Sequence, residues 1–397
     1  MKPEYRWMGI LREKCESLIY GCRITAEDGT TLYTPDNSKA YNAQWVRDFE
    51  YMVEYAGEYI PVSNLEKSIR YFLVRLREDG WVPDRVDAKG HPVYSAGPEA
   101  SPAGLANLDN GPFLILLVNE LLRNQDFRRA REFFTEWRSA LGRCLTVLPY
   151  SSNGLIYNDP QAIHSPYGFT DLIGKTGELF KESLLCWRAF RSLESMDKDF
   201  GDGSEAGEYA ARAKDIENSI GKLYDETQGM FLAATEDCRQ IDIWGNAYML
   251  YIGFPCGSKK AETIVRWFIK NQDNYFYYGC VRHLPKGEYW KRFLPEGTMV
   301  EKETYQNGAY WLTASGWLIW CIAQQDPQAA AKAFTQCLSW SVDNGFYECI
   351  NVNYTKLDNY VVSGTNLFGA LKRLLRENNT SFISETERLL HGKFQAQ

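Results

Sequence analysis

Amphipathic windows recur along the whole chain, with apolar residues at three- and four-residue spacing, and the segments that join them alternate between short and long. The windows lie near residues 4–21, 43–59, 63–77, 111–124, 126–147, 174–195, 204–223, 242–253, 259–271, 305–324, 327–342 and 360–376, and a short charged helix is predicted near 383–391. Such spacing gives each helix an apolar stripe that must be buried against another element. The connections IPVS, after the second window, and QQDP, before the eleventh, are only a few residues long. By contrast, 78–110, 149–173, 272–304 and 343–359 are long and rich in Gly, Pro and aromatics. Long loops without structure of their own are uncommon unless they are functional. Helix hairpins with tight turns at one end and elaborate loops at the other predict an all-α fold, an (α/α)6 toroid of six hairpins in two concentric rings. The long loops would then surround one pocket. Residues 275–293 alternate in character and predict a small β-hairpin on its rim. No Ser/Gly-rich linker or low-complexity run interrupts the series, so residues 1–397 are expected to form a single domain.

Composition bears on what such a pocket could hold. Aromatic residues make up 14% of the chain, with 12 Trp, 25 Tyr and 20 Phe. Flat aromatic faces suit the C–H-rich faces of sugars, but a large helical core could use the same residues as filler. The net charge of −7, with Lys and Arg scattered, argues against nucleic acid or an anionic membrane as a partner. Charges interrupt every apolar stretch of MKPEYRWMGILREKCESLIYGCRI, which therefore reads as neither signal peptide nor membrane span. The ten cysteines show no CxxC or other metal-ligand spacing, and Cys186, Cys321 and Cys337 lie in apolar helical patterns. They are expected to be reduced core thiols in a cytoplasmic protein. The four histidines are not paired at helical spacing, and no metal or cofactor is expected.

Four segments combine polar and aromatic residues at the starts of helical windows. The first is YNAQWVRDF, where Trp45, Arg47 and Asp48 could give a sugar a stacking face and bidentate hydrogen bonds. An Arg–Asp pair with an acid at a helix N-terminus is the structural alternative. In the second, Asp171 stands where a long loop meets the helix window of GKTGELFKESLLCWRA, which also carries Lys175 and Glu178. Asp is a favoured helix cap, but Gly174 and Gly177 in the same stretch suggest close approach of another group. The third, ETYQNGAYW, offers Tyr305, Asn307 and Trp311 as a wall. The fourth, FYECIN, places Glu348 between aromatics and small polar residues, where a carboxyl could act as a base or merely be solvated. The 78–110 loop adds Trp81, Asp84, Arg85, His91 and Tyr94 before Asp109 opens the next helix. It is expected to fold over the pocket, with a surface excursion as the alternative.

Taken together, these segments resemble the six-hairpin glycosidases, the superfamily of glucoamylase, trehalase, neutral/alkaline invertases and the glucosidase part of glycogen debranching enzyme. YNAQWVRDF is similar to the invertases' YNQ-x-F-x-RDF stretch and to the W-x-RD of glucoamylases. Asp171 falls where invertases and debranching enzymes place the Asp of a C/W-M-D motif. ELFKESL resembles the family's E-I-x-A-L helix. YQNGAYW resembles the Y-H-N-G-x-x-W-P signature, with His replaced by Gln306 and Pro by Leu312. Tyr347-Glu348 resembles the P-E-Y segment that carries the general base of invertases. The matches run in the family's order from about residue 41 to 370. No subfamily's motif is complete, and the invertase contacts beyond RDF are absent, so a sucrose hydrolase is not implied.

The resemblance implies an inverting glycoside hydrolase, and the 78–110 loop, by narrowing the pocket, is expected to direct it to the end of a short oligosaccharide or glycoside. One carboxyl protonates the leaving oxygen and another activates water on the opposite face of the ring, the two standing about 6.5–9.5 Å apart. Asp171 is implied as the acid and Glu348 as the base, with Glu301 and Glu303 as rivals for the second role. Trp45, Arg47, Asp48, Trp81, Asp109, Lys175, Glu178, Tyr305, Asn307 and Trp311 are implied as substrate-binding residues. The partner is a carbohydrate, and the oligomeric state is not constrained. Three other readings fit the same barrel: an epimerase or isomerase, which needs acid–base histidines; a phosphorylase, which needs a phosphate pocket near Glu348; and a non-catalytic sugar-binding protein.

Overall fold

The computed structural model describes residues 5–391 and 393. Among them lie thirteen α-helices: α1 (Arg6–Gly21), α2 (Val46–Ala56), α3 (Val62–Leu73), α4 (Asn110–Asn124), α5 (Phe127–Thr146), α6 (Phe180–Phe200), α7 (Ala206–Ser219), α8 (Ile243–Tyr251), α9 (Ser258–Lys270), α10 (Ser315–Ala323), α11 (Pro327–Asn344), α12 (Val361–Arg376) and α13 (Thr380–Leu390). Every predicted window overlaps one of them. The even-numbered helices α2 to α12 each pack on the next, and α12 returns to α2, closing an inner ring. The odd-numbered helices up to α11 pack on the outside of that ring, and α13 covers α11. This is an (α/α)6 toroid.

Burial separates the two rings as the sequence pattern requires. All of α2 except Glu54 is buried, whereas α9 buries only Ile264, Val265 and Phe268. A helix buried on nearly every side belongs inside, and one with a single buried stripe belongs outside. The short connections are set by capping. Asp326 accepts a hydrogen bond from the Ala329 backbone N–H with Pro327 in the first turn of α11, and Asp126 caps α5 in the same way. The barrel's centre is filled by rings. Tyr51 packs on Phe113, Phe169 and Trp317, and Trp244 packs on Phe169, Trp311 and Trp317. Much of the aromatic excess is therefore core rather than sugar platform.

Extended segments gather at the end where the inner helices begin. The predicted rim hairpin exists as Phe276–Tyr277 and Cys280–Val281, but it is the edge of a larger antiparallel sheet. Tyr310–Trp311, Cys349–Asn351 and Tyr354–Lys356 follow in that order. A second sheet joins Ala43–Trp45, Arg85–Asp87 and Pro92–Val93. Three helices consequently start later than predicted. Residues 43–45 are strand, so α2 opens at Val46. The positive φ of Gly177 breaks the helical path before α6, and those of Glu303, Tyr305 and Gly308 delay α10 to Ser315. Nine of the ten cysteines are buried, and all ten are unbridged. No helix among the described residues is long and apolar enough to cross a membrane.

Ring closure requires close helix contact at one glycine in particular. A Cβ on Gly316 of α10 would stand 2.5 Å from the Asn366 carbonyl oxygen of α12. Gly316→Ala is therefore expected to lower stability by roughly 1–3 kcal/mol through overpacking, read as a lower urea midpoint at unchanged slope. An unchanged midpoint would show that α10 and α12 can separate without cost.

Candidate active site

The pocket end is organised around one buried guanidinium. Ala43–Trp45 is held extended by pairing with Arg85–Asp87, so α2 starts beside Asp84, whose carbonyl accepts from the Val46 N–H at 3.1 Å. Arg47 and Asp48 then occupy the first turn. Arg47 is 3% exposed. Its Nε donates to Asp109 Oδ2 at 3.1 Å, and its Nη2 donates to Asn110 Oδ1 at 3.2 Å and to Asp84 Oδ1. Burial opposes the charge on Arg47, but Asp109 and Asp84 hold its pKa well above the ordinary value. Asp109 Oδ2 also accepts from the Gly168 N–H at 2.8 Å. Position 168 must be glycine for this approach, because a Cβ there would overlap the Arg47 side chain.

Asp171 follows the short turn Gly168–Thr170. Gln306 Nε2 donates to its Oδ1 at 2.8 Å, and the Leu172 N–H donates to Gln306 Oε1 at 3.0 Å. Burial pushes the Asp171 pKa up to about 7, against the pull of Arg47 and Gln306. Glu348 stands just before Cys349–Asn351, anchored by its N–H to the carbonyls of Lys356 and Leu357. Its carboxylate accepts from Tyr41 Oη at 3.2 Å and lies 3.3 Å from Lys356 Nζ. Burial raises its pKa to about 7 as well, with Lys356 and Tyr41 opposing. A third carboxyl, Asp48, accepts from Tyr360 Oη at 2.5 Å and is raised to about 6 by burial, with Arg47 opposing.

These groups share a pocket of about 60 Å³ lined by Pro35, Tyr41, Trp45, Arg47, Asp48, Gly168, Phe169, Asp171, Tyr305, Glu348 and Tyr360. Six residues singled out from the sequence thus meet there: Trp45, Arg47, Asp48, Asp171, Tyr305 and Glu348. The others lie elsewhere. Asp109 sits behind Arg47 as its counterion. Trp81 is buried and stacks on His164 with ring centroids 4.9 Å apart. Lys175 forms a buried pair with Glu182 at 2.6 Å. Glu178 accepts from Asn153 at 3.0 Å on the Gly177–Glu178 strand. Asn307 braces the loop before it, accepting from the Trp290 N–H at 3.0 Å and donating to the Val300 carbonyl at 2.8 Å. Trp311 is fully buried and packs against Tyr305 and Phe169. The 78–110 loop does not line the pocket either; through Asp84 and Asp109 it supports Arg47 from behind.

Sequence reasoning passed over Tyr41 and Tyr360, although Tyr41 opens the first motif and Tyr360 immediately precedes α12. Gln306 was visible only as a departure from a signature. Of the rivals to Glu348, Glu301 is exposed. Glu303 is bound to Arg282 at 3.0 Å, to Asn351 at 2.9 Å and to Tyr289. Although burial opposes them, these partners hold its pKa below the ordinary value, and neither rival lines the pocket. A larger hollow, of about 850 Å³, lies at the opposite end of the ring and contains none of the candidate site residues. There Glu54 and Arg188 pair with each other at 2.7 Å.

No protein-family model matches the sequence, and no curated protein matches it. Solved structures do match. An uncharacterized conserved protein from Thermus thermophilus superposes with a TM-score of 0.65 at 14% identity, covering 90% of this chain and 99% of that one. A rhamnosidase from Klebsiella oxytoca with rhamnose bound gives 0.64 at 13% identity, over 94% of this chain and 65% of the other. A GH63 mannosylglycerate hydrolase, also from Thermus thermophilus, gives 0.63 at 14%, over 90% and 99%. The chain shares the toroid fold of these proteins. In this six-hairpin ring the pocket occupies the end at which the inner helices start, and residues from its first to its last hairpin contribute side chains.

The raised carboxyl pKa values have a consequence for stability. An acid whose pKa is higher folded than unfolded contributes stability that is full below its ordinary value and lost as pH rises toward the folded value. For Asp171 and Glu348 that window runs from about 4 to about 7. Asp171→Asn and Glu348→Gln remove the titrating group, so each is expected to match the parent protein at pH 4. Above pH 7 each should melt roughly 2–5 °C higher. Thermal unfolding followed by circular dichroism across pH 4–8 reads this, and a pH-independent difference would contradict the assigned shifts.

Proposed function

We propose that this protein hydrolyses glycosidic bonds by inversion, with Asp171 as general acid and Glu348 as general base. The observation that carries the reading is the pair of carboxyls in one small pocket, Glu348 buried and Asp171 half-buried, each with a pKa near neutrality. Near pH 7 such a pair holds a substantial population with one proton between them, which is the state that acid–base displacement requires. Asp171 gives its proton to the glycosidic oxygen as the C1–O bond breaks and the leaving group keeps the bond's electron pair. Glu348 takes a proton from water as the water oxygen bonds to C1 from the opposite face. Arg47 and Asp48 hold hydroxyls of the ring at the cleaved end, and Trp45 and Tyr305 shape its walls. Room for further sugar units is limited, because the enclosed space of about 60 Å³ is small beside that of ordinary ligand pockets. That size supports exo attack on a short oligosaccharide or simple glycoside. The chemistry calls for no cofactor.

Several observations favour hydrolysis over the alternatives. The structural neighbours include proteins described as a rhamnosidase and a mannosylglycerate hydrolase. Epimerisation needs histidines at the site, but His91 pairs with Glu99 on the surface, His164 stacks on Trp81 and His283 is buried against Trp244. Phosphorolysis needs room for phosphate beside the acid. Here Glu348 occupies that place, and the nearby cation, Lys356, is already paired with it. A pure binding protein gains nothing from two carboxyls held near neutrality.

A screen of aryl glycosides and short oligosaccharides, with the product anomer followed by NMR, tests the proposal directly. Asp171→Asn should lose about two to four orders of magnitude on substrates with poor leaving groups and much less on activated aryl glycosides. Glu348→Gln should lose as much on every substrate, with azide restoring rate. Losses under about tenfold would remove the assignment, and retention of anomeric configuration would overturn inversion. The pH profile follows from the two roles. Activity requires Glu348 ionised, so it falls as pH drops below about 7, and Asp171 protonated, so it falls as pH rises above about 7. A narrow bell in kcat/KM centred near neutrality is the expected result.

A further inference from the structure

We propose that Gln306 is a positioning residue that assigns the proton of Asp171 to Oδ2; this deepens, and rests on, the hydrolytic reading above. The argument depends on which end of an amide can donate. A backbone N–H can only donate, and the Leu172 N–H meets one end of the Gln306 amide at 3.0 Å, so that end is the oxygen. The other end is then the NH2 group, which can only donate, and it meets Asp171 Oδ1 at 2.8 Å. Oδ1 must therefore present a lone pair. When Asp171 is protonated, its hydrogen is left on Oδ2.

The amide cannot readily turn over. Gln306 is fully buried, and its backbone carbonyl accepts from Trp290 Nε1 at 3.0 Å. Flipping the side chain would aim NH2 at the Leu172 N–H and the amide oxygen at the carboxyl, losing both bonds. Because Leu172 directly follows Asp171, one amide grips both the acid's side chain and the backbone next to it. That arrangement fixes the direction of the carboxyl as well as its proton. It also prepares the product of proton transfer. As Oδ2–H breaks and its proton passes to the glycosidic oxygen, Asp171 becomes a carboxylate whose Oδ1 already accepts a donor. No reorientation is needed as the charge develops.

Two variants of similar size test this. Gln306→Met removes the amide, whereas Gln306→Glu keeps an acceptor for the Leu172 N–H but places a second carboxyl against Asp171. Losing a donor to the charged form raises an acid's pKa. The Asp171 carboxyl, followed by 13C NMR with labelled aspartate, is therefore expected to titrate about one to two pH units higher in Gln306→Met. In Gln306→Glu it should titrate higher still. On the glycoside found by the substrate screen, kcat should fall about tenfold or more in Gln306→Met, with KM within about twofold. An aryl glycoside with an activated leaving group should lose little, and the alkaline limb of the pH profile should move up. A merely structural role would instead weaken all substrates alike and leave the Asp171 titration in place. Either result overturns the proposal, and Gln306→Met decides it if Gln306→Glu fails to fold. A moved Asp171 titration combined with full activity of Asp171→Asn would keep the Gln306 contact while removing the hydrolytic mechanism, so the two failures remain distinct.

Discussion

The pocket end depends on one charge that cannot be left alone. A guanidinium as deeply buried as that of Arg47 is tolerable only if paired and hydrogen-bonded, because the cost of removing an ion from water is several kcal/mol. The pairing fixes several elements at once. Asp84 brings the 78–110 loop to the start of α2, Asp109 and Asn110 bring the start of α4, and the Gly168 N–H brings the turn that leads to Asp171. Breaking any one contact would strand the others, so the geometry around the pocket behaves as a unit rather than as separate loops.

Against that fixed cation the pocket carries three carboxyls whose environments oppose ionisation. Burial dominates each shift, while Arg47, Lys356, Gln306, Tyr41 and Tyr360 offset it in part. The inner helices all start at this end, so their positive dipole ends also face it. Ordinary carboxyl pKa values would give two carboxylates at neutral pH, and complete desolvation would give two neutral acids. The balance leaves the pair between those limits. The larger hollow at the other end also holds a carboxyl raised to about 7 by burial, Glu120, but there Glu54 pairs with Arg188.

The helical ring was legible in the sequence because it follows from local periodicity and loop length. Every helix window overlaps a helix, and the more deeply buried even-numbered helices form the inner ring. What periodicity could not show was the extended structure at the helix starts. Glu303, Tyr305 and Gly308 adopt positive φ inside or just before a window that reads as helix, and Ala43–Trp45 is strand because it pairs with residues about forty positions away. The pocket was legible in part. Arg47, Asp48, Asp171, Tyr305 and Glu348 stand in recognisable motifs. Trp311, Lys175 and Glu178 share those motifs but are used for packing or for polar contacts behind the surface. Spacing cannot tell a side chain that lines a cavity from its neighbour that supports it. Tyr360 carried no local signal, since its partner Asp48 lies in the first hairpin.

That last contact has a consequence for the chain as it is made. Tyr360 meets Asp48 across 312 positions, and Tyr41 meets Glu348 across 307. Both join the beginning of the molecule to its final hairpin, and without them the carboxyls at either side have no fixed relation to each other. Early helices emerging from a ribosome can pair locally and wait, but the cavity itself does not exist until α12 arrives to pack on α2. The complete pocket is thus withheld from any product that stops before α12. It comes into being only with the whole circle, at the last step of assembly.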